Sequence, residues 1–408
     1  MKGVVYLGDS QVEVRDFPQP EPGPGQVLIQ SKVAGLCGSD LHKYHSSRTW
    51  ANERNGMISG HEPTGIVAAV GPNVDHPCVG DRVCVYHRLG CGHCMDCRSG
   101  NAAFCDEGSG SGAFGRTQDG SHADYMLTEA RYCLPLPDEL SFTVATQLAC
   151  TAGTAFSALR KIPTHVGDTL VVFGLGPVGL SGLLLGIGMG YRGIGVDTHP
   201  YRVDLARKVG KGQVINAQND DPVDAIRDLT GGTGVGGVLE CSGNAIARKQ
   251  AATVASRGAT VVYVGGGSAP DLTVDFADVL TKDLTVRGNS VFSMASYFAA
   301  VEFMLKKPVA LDKIVTHRFK IEEAVEAFSL FDTGRTGKVI FEWDEEVLLL
   351  DSRHALSTAV RFLDGRSVCK FSFIVFIHSF LSRFLALCSA KTNYRYCTTI
   401  NISPGWRI

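Results

Sequence analysis

The chain has 408 residues and a formal net charge of −2, with 39 basic side chains against 41 acidic ones. That length allows two domains with separate cores, and the near-balanced charge excludes a surface built chiefly for nucleic-acid phosphates. Thirteen cysteines are many, but too few for a disulfide scaffold.

The N-terminus, "MKGVVYLGDSQVEVRDF", carries charges where a secretory leader would be apolar. It predicts a strand, a turn at Gly8-Asp9 and a second strand, and it suggests a reducing, cytoplasmic setting for the cysteines. Strand- and turn-rich sequence continues to about residue 150. Within it, "AGLCGSDLH" gathers Cys37, Ser39, Asp40 and His42, and "ISGHEPTG" adds His61 and Glu62. "QLACTAGTAF" supplies Cys150 well downstream. Two sulfurs and an imidazole make a three-ligand set that leaves zinc one open position. Alone, each cysteine reads as a small core residue and the histidine as a satisfied side chain. The hydroxyl, carboxylate and imidazole groups beside them tilt the reading toward metal.

Between these segments lies "CGHCMDCRSGNAAFC", with Cys91, Cys94, Cys97 and Cys105. Four thiolates close a tetrahedron around zinc and leave no place for water, so this spacing predicts a site that holds a loop. Two disulfides or buried free thiols are the alternative, disfavoured by the spacing and the compartment.

From about 151 to 288 strand and helix signals alternate: "TLVVFG", "RGIGVD", "GQVINA", "GGVLECSG", "ATVVYVGG" and "LTVRGN". That alternation predicts a parallel sheet covered by helices on both faces. Leu170 to Phe173 form a short strand, followed at once by Gly174, Gly176 and Gly179 and then an apolar helix. In that context the glycines serve a tight turn, the approach of a pyrophosphate and close helix–strand packing. Asp197 ends the next strand, where a carboxylate can bind a ribose diol. Helical signals follow in "SYFAAVEFMLKKP" and "IEEAVEAFSLFDTGRTGKVIFEW".

These motifs, in this order with "GDRV", "LPDELSF" and "GKVIF", resemble the zinc-containing alcohol dehydrogenases of the medium-chain dehydrogenase/reductase superfamily. The resemblance covers about residues 1 to 343 and is closest to the polyol, threonine and secondary-alcohol branch. It implies an α/β fold: a GroES-like β-barrel catalytic domain, 1–150 completed by 289–345, plus a Rossmann doubly wound parallel sheet, 151–288. It implies two zinc ions per subunit, one in the four-cysteine lobe and one on Cys37, His61 and Cys150 with Glu62 behind the metal. Asp40 would orient the imidazole, Ser39 and His42 would relay the substrate proton, and Thr154 would touch the nicotinamide. Asp197, with Arg202 beside it, would bind the ribose of NAD in preference to NADP. Many polyol dehydrogenases have glutamate where this chain has Cys150, which leaves the substrate open among alcohols, polyols and the matching aldehydes or ketones. The family also implies a homotetramer or homodimer. A relative that binds nucleotide and zinc without catalysis is the alternative, disfavoured because every matched ligand is present.

Beyond about Glu345 the resemblance stops. "CKFSFIVFIHSFLSRFLALC", 369–388, is apolar, but His378 and Arg383 interrupt it. An unrelated extension over 346–408 is favoured over a packed tail or a membrane anchor.

Overall fold

A computed structural model of the chain describes residues 1–344 apart from 54–55, 108–111, 164–167, 211 and 267–270. The tail, and with it the anchor reading of 369–388, lies outside the described residues. Among the described residues no helix is long and apolar enough to cross a membrane.

The N-terminal hairpin forms as its sequence predicts, Lys2–Gly8 against Gln11–Asp16. Its turn puts Asp9 and Ser10 in the left-handed region, at φ 50° and 61°, where short polar side chains are tolerated. Val4, Tyr6 and Val12 pack on Phe328, Phe331 and Phe341 from the far end of the described chain.

The first large sheet has seven strands. Its path runs Val315–Phe319, Lys338–Glu342, Gln26–Gly35, Pro63–Val70, Arg82–Val85 and Cys133–Pro135, with Tyr125–Glu129 also pairing to Gln26–Gly35. Gln26–Gly35 is the hub, and its ladder to Pro63–Val70 shifts register twice, the kind of irregularity that bends a strand. Among the described residues no ladder joins the two end strands, so the barrel is only partly closed.

The segment 321–343 is not helical throughout: the helix covers Ala324–Asp332, and Lys338–Glu342 is a strand. Gly334, at φ 71°, turns the chain, and the β-branched and aromatic run that follows is buried between two neighbouring strands.

The second sheet is parallel and six-stranded, in the order Gln213–Asn216, Arg192–Asp197, Thr169–Phe173, Val235–Glu240, Ala255–Tyr263, Thr285–Gly288. Its central strands are apolar on both faces because helices cover both: Leu170, Val171, Val172, Val238, Leu239, Val261 and Val262 are fully buried. Strand order reverses between Thr169–Phe173 and Val235–Glu240, the switch point where open α/β sheets bind ligands. Both sheets belong to one compact unit and share one apolar core, from Val27 and Val85 through Phe292 to Leu170 and Val262. Asn289, just past the end of Thr285–Gly288, bonds the Thr154 carbonyl in the helix that follows Cys150, so that end of the sheet lies beside this helix.

Candidate active site

The strand Gln26–Gly35 runs out just before Cys37, which caps the helix Gly38–Tyr44. The Cys37 amide donates to Asp40 Oδ2 at 2.9 Å, closing the first turn and fixing the thiol's position. His61 and Glu62 immediately precede the strand Pro63–Val70. Cys150 sits at a break between the helices Phe142–Leu148 and Thr151–Leu159, with φ −148° and ψ −75°. These elements bring one donor atom each of Cys37, His61, Glu62 and Cys150 within 4.8 Å of one another, all buried. The two sulfurs are 3.9 Å apart.

Behind this cluster stands a hydrogen-bonded support. His61 Nδ1 lies 3.0 Å from Asp40 Oδ1, and a carboxylate can only accept, so Nδ1 carries a proton and Nε2 is the nitrogen that a metal would take, displacing any proton there. Asp40 is fully buried and also accepts the Tyr6 hydroxyl at 3.0 Å. Burial works against its charge, but His61, Lys43 and His122 outweigh it and hold the carboxyl well below its usual range. Burial likewise opposes a charged His61, yet Asp40 and Cys37 carry it up to about 10. The paired thiols divide one proton: contact with Cys150 draws Cys37 down, and contact with Cys37 pushes Cys150 up.

Glu62 is paired with Lys338, both fully buried, and Lys338 also donates to the Leu36 carbonyl at 2.8 Å. Burial raises Glu62 to about 8 although Lys338 opposes the rise. Its other oxygen, Oε1, is buried with no hydrogen-bond partner among the described residues. A buried carboxylate oxygen without a donor, beside two thiols and an imidazole nitrogen, fits a divalent cation.

The lobe is a second donor set. Cys91, Cys94, Cys97 and Cys105 place their sulfurs within 4.8 Å of one another, with Cys91–Cys97 and Cys94–Cys105 each at 3.9 Å. Backbone amides turn inward to the sulfurs: Cys94 to Cys91 at 3.3 Å, Cys97 to Cys94 at 3.4 Å and Cys91 to Cys105 at 3.3 Å. Such N–H groups favour thiolates, and four of them suit a closed zinc site. The lobe is tied down where the Met294 amide donates to the Gly100 carbonyl at 2.9 Å.

At the switch point Gly174 has φ 83°, and a side chain on Gly179 would collide with the Gly174 carbonyl at 1.7 Å. Gly176 caps the helix Pro177–Met189, and a side chain there would meet only Arg202 Nη1, at 3.9 Å. The turn is thus an open cradle beside a guanidinium, which suits a pyrophosphate. Asp197 is buried, accepting the Leu175 amide at 2.6 Å and the His199 amide at 2.7 Å. Thr154, one turn after Cys150, is buried, and its carbonyl accepts from Asn289 at 3.3 Å. Nearby Val291 has φ 56°, strained for a β-branched residue and held by Asn289 Nδ2 on its carbonyl at 3.0 Å.

Ser39 lies with its Oγ 3.2 Å from His61 Nε2. His42 is exposed three positions along the same helix, and among the described residues no hydrogen bond joins it to Ser39. Two residues near the site had no assigned role in the sequence reading. Lys338 stood only within the "GKVIF" motif, 276 positions from Glu62. His87 follows the strand Arg82–Val85, with its ring 5.2 Å from that of His61. Burial and then the charge of His61 lower it to about 3.

The chain is similar to known proteins over most of its length. Residues 23–138 match the family model described as alcohol dehydrogenase GroES-like domain, and 177–306 the one described as zinc-binding dehydrogenase. The uncharacterized zinc-type alcohol dehydrogenase-like protein YphC of Escherichia coli strain K12 is 36% identical over 351 residues, 83% of this chain and 98% of that protein. An L-threonine 3-dehydrogenase of Deinococcus deserti is 32% identical over 81% of this chain and 95% of its own length. The solved alcohol dehydrogenase TADH from Thermus sp. ATN1 matches with a TM-score of 0.75 at 28% identity, covering 84% of this chain and 99% of that one. With both family models matched in order and relatives aligned along nearly their whole length, the chain belongs to the zinc-type alcohol dehydrogenase family.

Proposed function

We propose that the chain oxidises alcohols or polyols reversibly with NAD, using zinc held by Cys37, His61 and Cys150. The observation that carries this reading is the buried donor set, with its orphaned Glu62 oxygen, in the same compact unit as the open glycine turn. Bound zinc supplies Lewis acidity toward an alcohol oxygen, and bound nicotinamide supplies a hydride acceptor. Asp40 keeps His61 in the tautomer that offers Nε2. Ser39 takes the substrate proton and hands it outward, with exposed His42 as the solvent end. Asp197 binds the adenosine ribose, Arg202 faces the same turn, and Thr154 borders the nicotinamide. Cys91, Cys94, Cys97 and Cys105 hold a second, structural zinc.

In this reading 1–150 with 289–345 forms the catalytic domain and 151–288 the dinucleotide domain. The free thiols of both donor sets favour a reducing, cytoplasmic location. A homo-oligomer is supported by the edge strand Thr285–Gly288, exposed throughout, beside exposed Phe276 and Leu280. An open edge with an apolar border suits pairing with a second copy across a twofold axis.

A screen of alcohols and polyols with NAD and NADP, run with metal analysis, tests the proposal. Two zinc ions per chain and zinc-dependent reduction of NAD are expected. Fully active protein with one zinc or none would overturn it, as would a fully loaded protein that oxidises no alcohol.

A further inference from the structure

His87 is nearly fully buried yet has no part in the chemistry above. Its Nδ1 lies 2.9 Å from the carbonyl oxygen of Ala149, the residue before Cys150. A carbonyl can only accept, so Nδ1 carries a proton, and in the neutral ring Nε2 is then the lone-pair acceptor. Among the described residues Nε2 has no hydrogen-bond partner. The ring stands 5.2 Å from the His61 ring and 6.1 Å from that of Phe292, between the donor set and an aromatic wall. Phe292 is itself fixed by the Tyr86 hydroxyl, which donates to its carbonyl at 2.6 Å. The backbone segment that delivers Cys150 therefore also anchors this imidazole. Nε2 is not among the buried side-chain atoms that lack a partner, so a small molecule can reach it, and an alcohol held at the neighbouring donor set would lie beside it.

We propose that His87 is a specificity-determining residue: its Nε2 accepts a hydrogen bond from a donor on the carbon next to the reacting carbinol. The favoured substrates are then secondary alcohols with a neighbouring hydroxyl or ammonium group, not plain alcohols of the same size. This inference rests on reading Cys37, His61 and Cys150 as the alcohol site. A site that hydrogen-bonds a substituent discriminates against the analogue lacking it, because the buried partner is left unpaired.

The test compares zinc-loaded wild type with His87→Asn and His87→Gln. The asparagine keeps a donor for the Ala149 carbonyl and has no acceptor where Nε2 stands, whereas the glutamine amide reaches farther and restores one. With NAD, kcat/KM is measured for 2,3-butanediol, L-threonine and 2-butanol. Calorimetry on the zinc-loaded enzyme without nucleotide compares acetoin with 2-butanone, a readout in which no turnover occurs.

The wild type should favour a donor-bearing substrate over 2-butanol, and acetoin over 2-butanone, by about tenfold or more. Both ratios should fall to near unity in His87→Asn and partly recover in His87→Gln. Which substrate carries the preference, diol or amino alcohol, tells hydroxyl from ammonium. A wild-type ratio near unity overturns the proposal, as does a preference that survives in His87→Asn at full zinc content. If the asparagine variant loses its zinc, the wild-type ratios and the glutamine variant decide. Oxidation of 2-butanol without any preference sinks the role of His87 alone. Failure to oxidise any alcohol sinks the alcohol site and this inference together.

Discussion

In the lobe, Cys91 and Cys105 are 14 positions apart, and the intervening backbone folds its own amides onto the sulfurs. In the buried set, Cys37 and Cys150 are 113 positions apart, and each donor is held by a different element. The lobe offers four like ligands, of which Cys91, Cys94 and Cys97 are only half-buried. The buried set offers two thiols and an imidazole, each nearly fully buried, with fully buried Glu62 and its Lys338 partner beside them. Four identical thiolates saturate a metal and lock a loop, whereas three ligands and a restrained carboxylate leave room for a substrate. What separates structural from catalytic use is therefore not cysteine but what stands around it.

The largest expected effect separates the two sets by function. Cys37→Ser, His61→Ala or Cys150→Ser should lower kcat on the order of a thousandfold or more with only modest loss of thermal stability. Cys97→Ser should do the reverse, costing several kcal/mol of stability while correctly folded, zinc-loaded molecules keep most of their turnover. Melting curves and kinetics on the same preparations check this. If Cys97→Ser abolished turnover in stably folded protein, the contrast would fail.

Next in size is the carboxylate's restraint. Lys338→Met leaves Glu62 buried without its cation and should destabilise the protein by about 3–5 kcal/mol. Adding Glu62→Gln should restore much of that loss. Urea unfolding of the two single variants and the double variant measures the coupling, and simple additivity would show that the pair does not act as a unit.

Asp197→Ala should narrow a preference for NAD over NADP by about tenfold, chiefly through KM for the cofactor. Asp197 also accepts the Leu175 and His199 amides, so part of the change should appear as weaker binding of both cofactors. Equal use of NADP by the unaltered enzyme would assign the choice to Arg202.

Acid sensitivity on the enclosed side is best read in zinc-free protein. Burial lowers His122 to about 4 from an ordinary 6.5, with Ser59 Oγ at 2.9 Å and the Gly35 carbonyl at 3.2 Å as partners. Between those values the unfolded chain binds the proton and the folded one does not, so stability is present above pH 6.5 and declines as pH falls toward 4. The loss from this group amounts to about 3 kcal/mol, and His122→Gln should flatten the slope of stability against pH.

The sequence alone determined the features whose physics is local. Four cysteines at short spacing, glycines between a strand and a helix, and alternating strand–helix signals each specify their geometry within a few turns of chain. It was less reliable where neighbours decide: the run after Gly334 carries residues compatible with either element, and it became a strand because two partner strands flank it. Only the tertiary structure decided that Lys338 meets Glu62 and that His87 bonds the carbonyl before Cys150. A lone lysine or histidine carries no local signal of its partner. Burial makes such pairings consequential, because a charge or lone pair removed from water must find its counterpart wherever the fold brings one within reach.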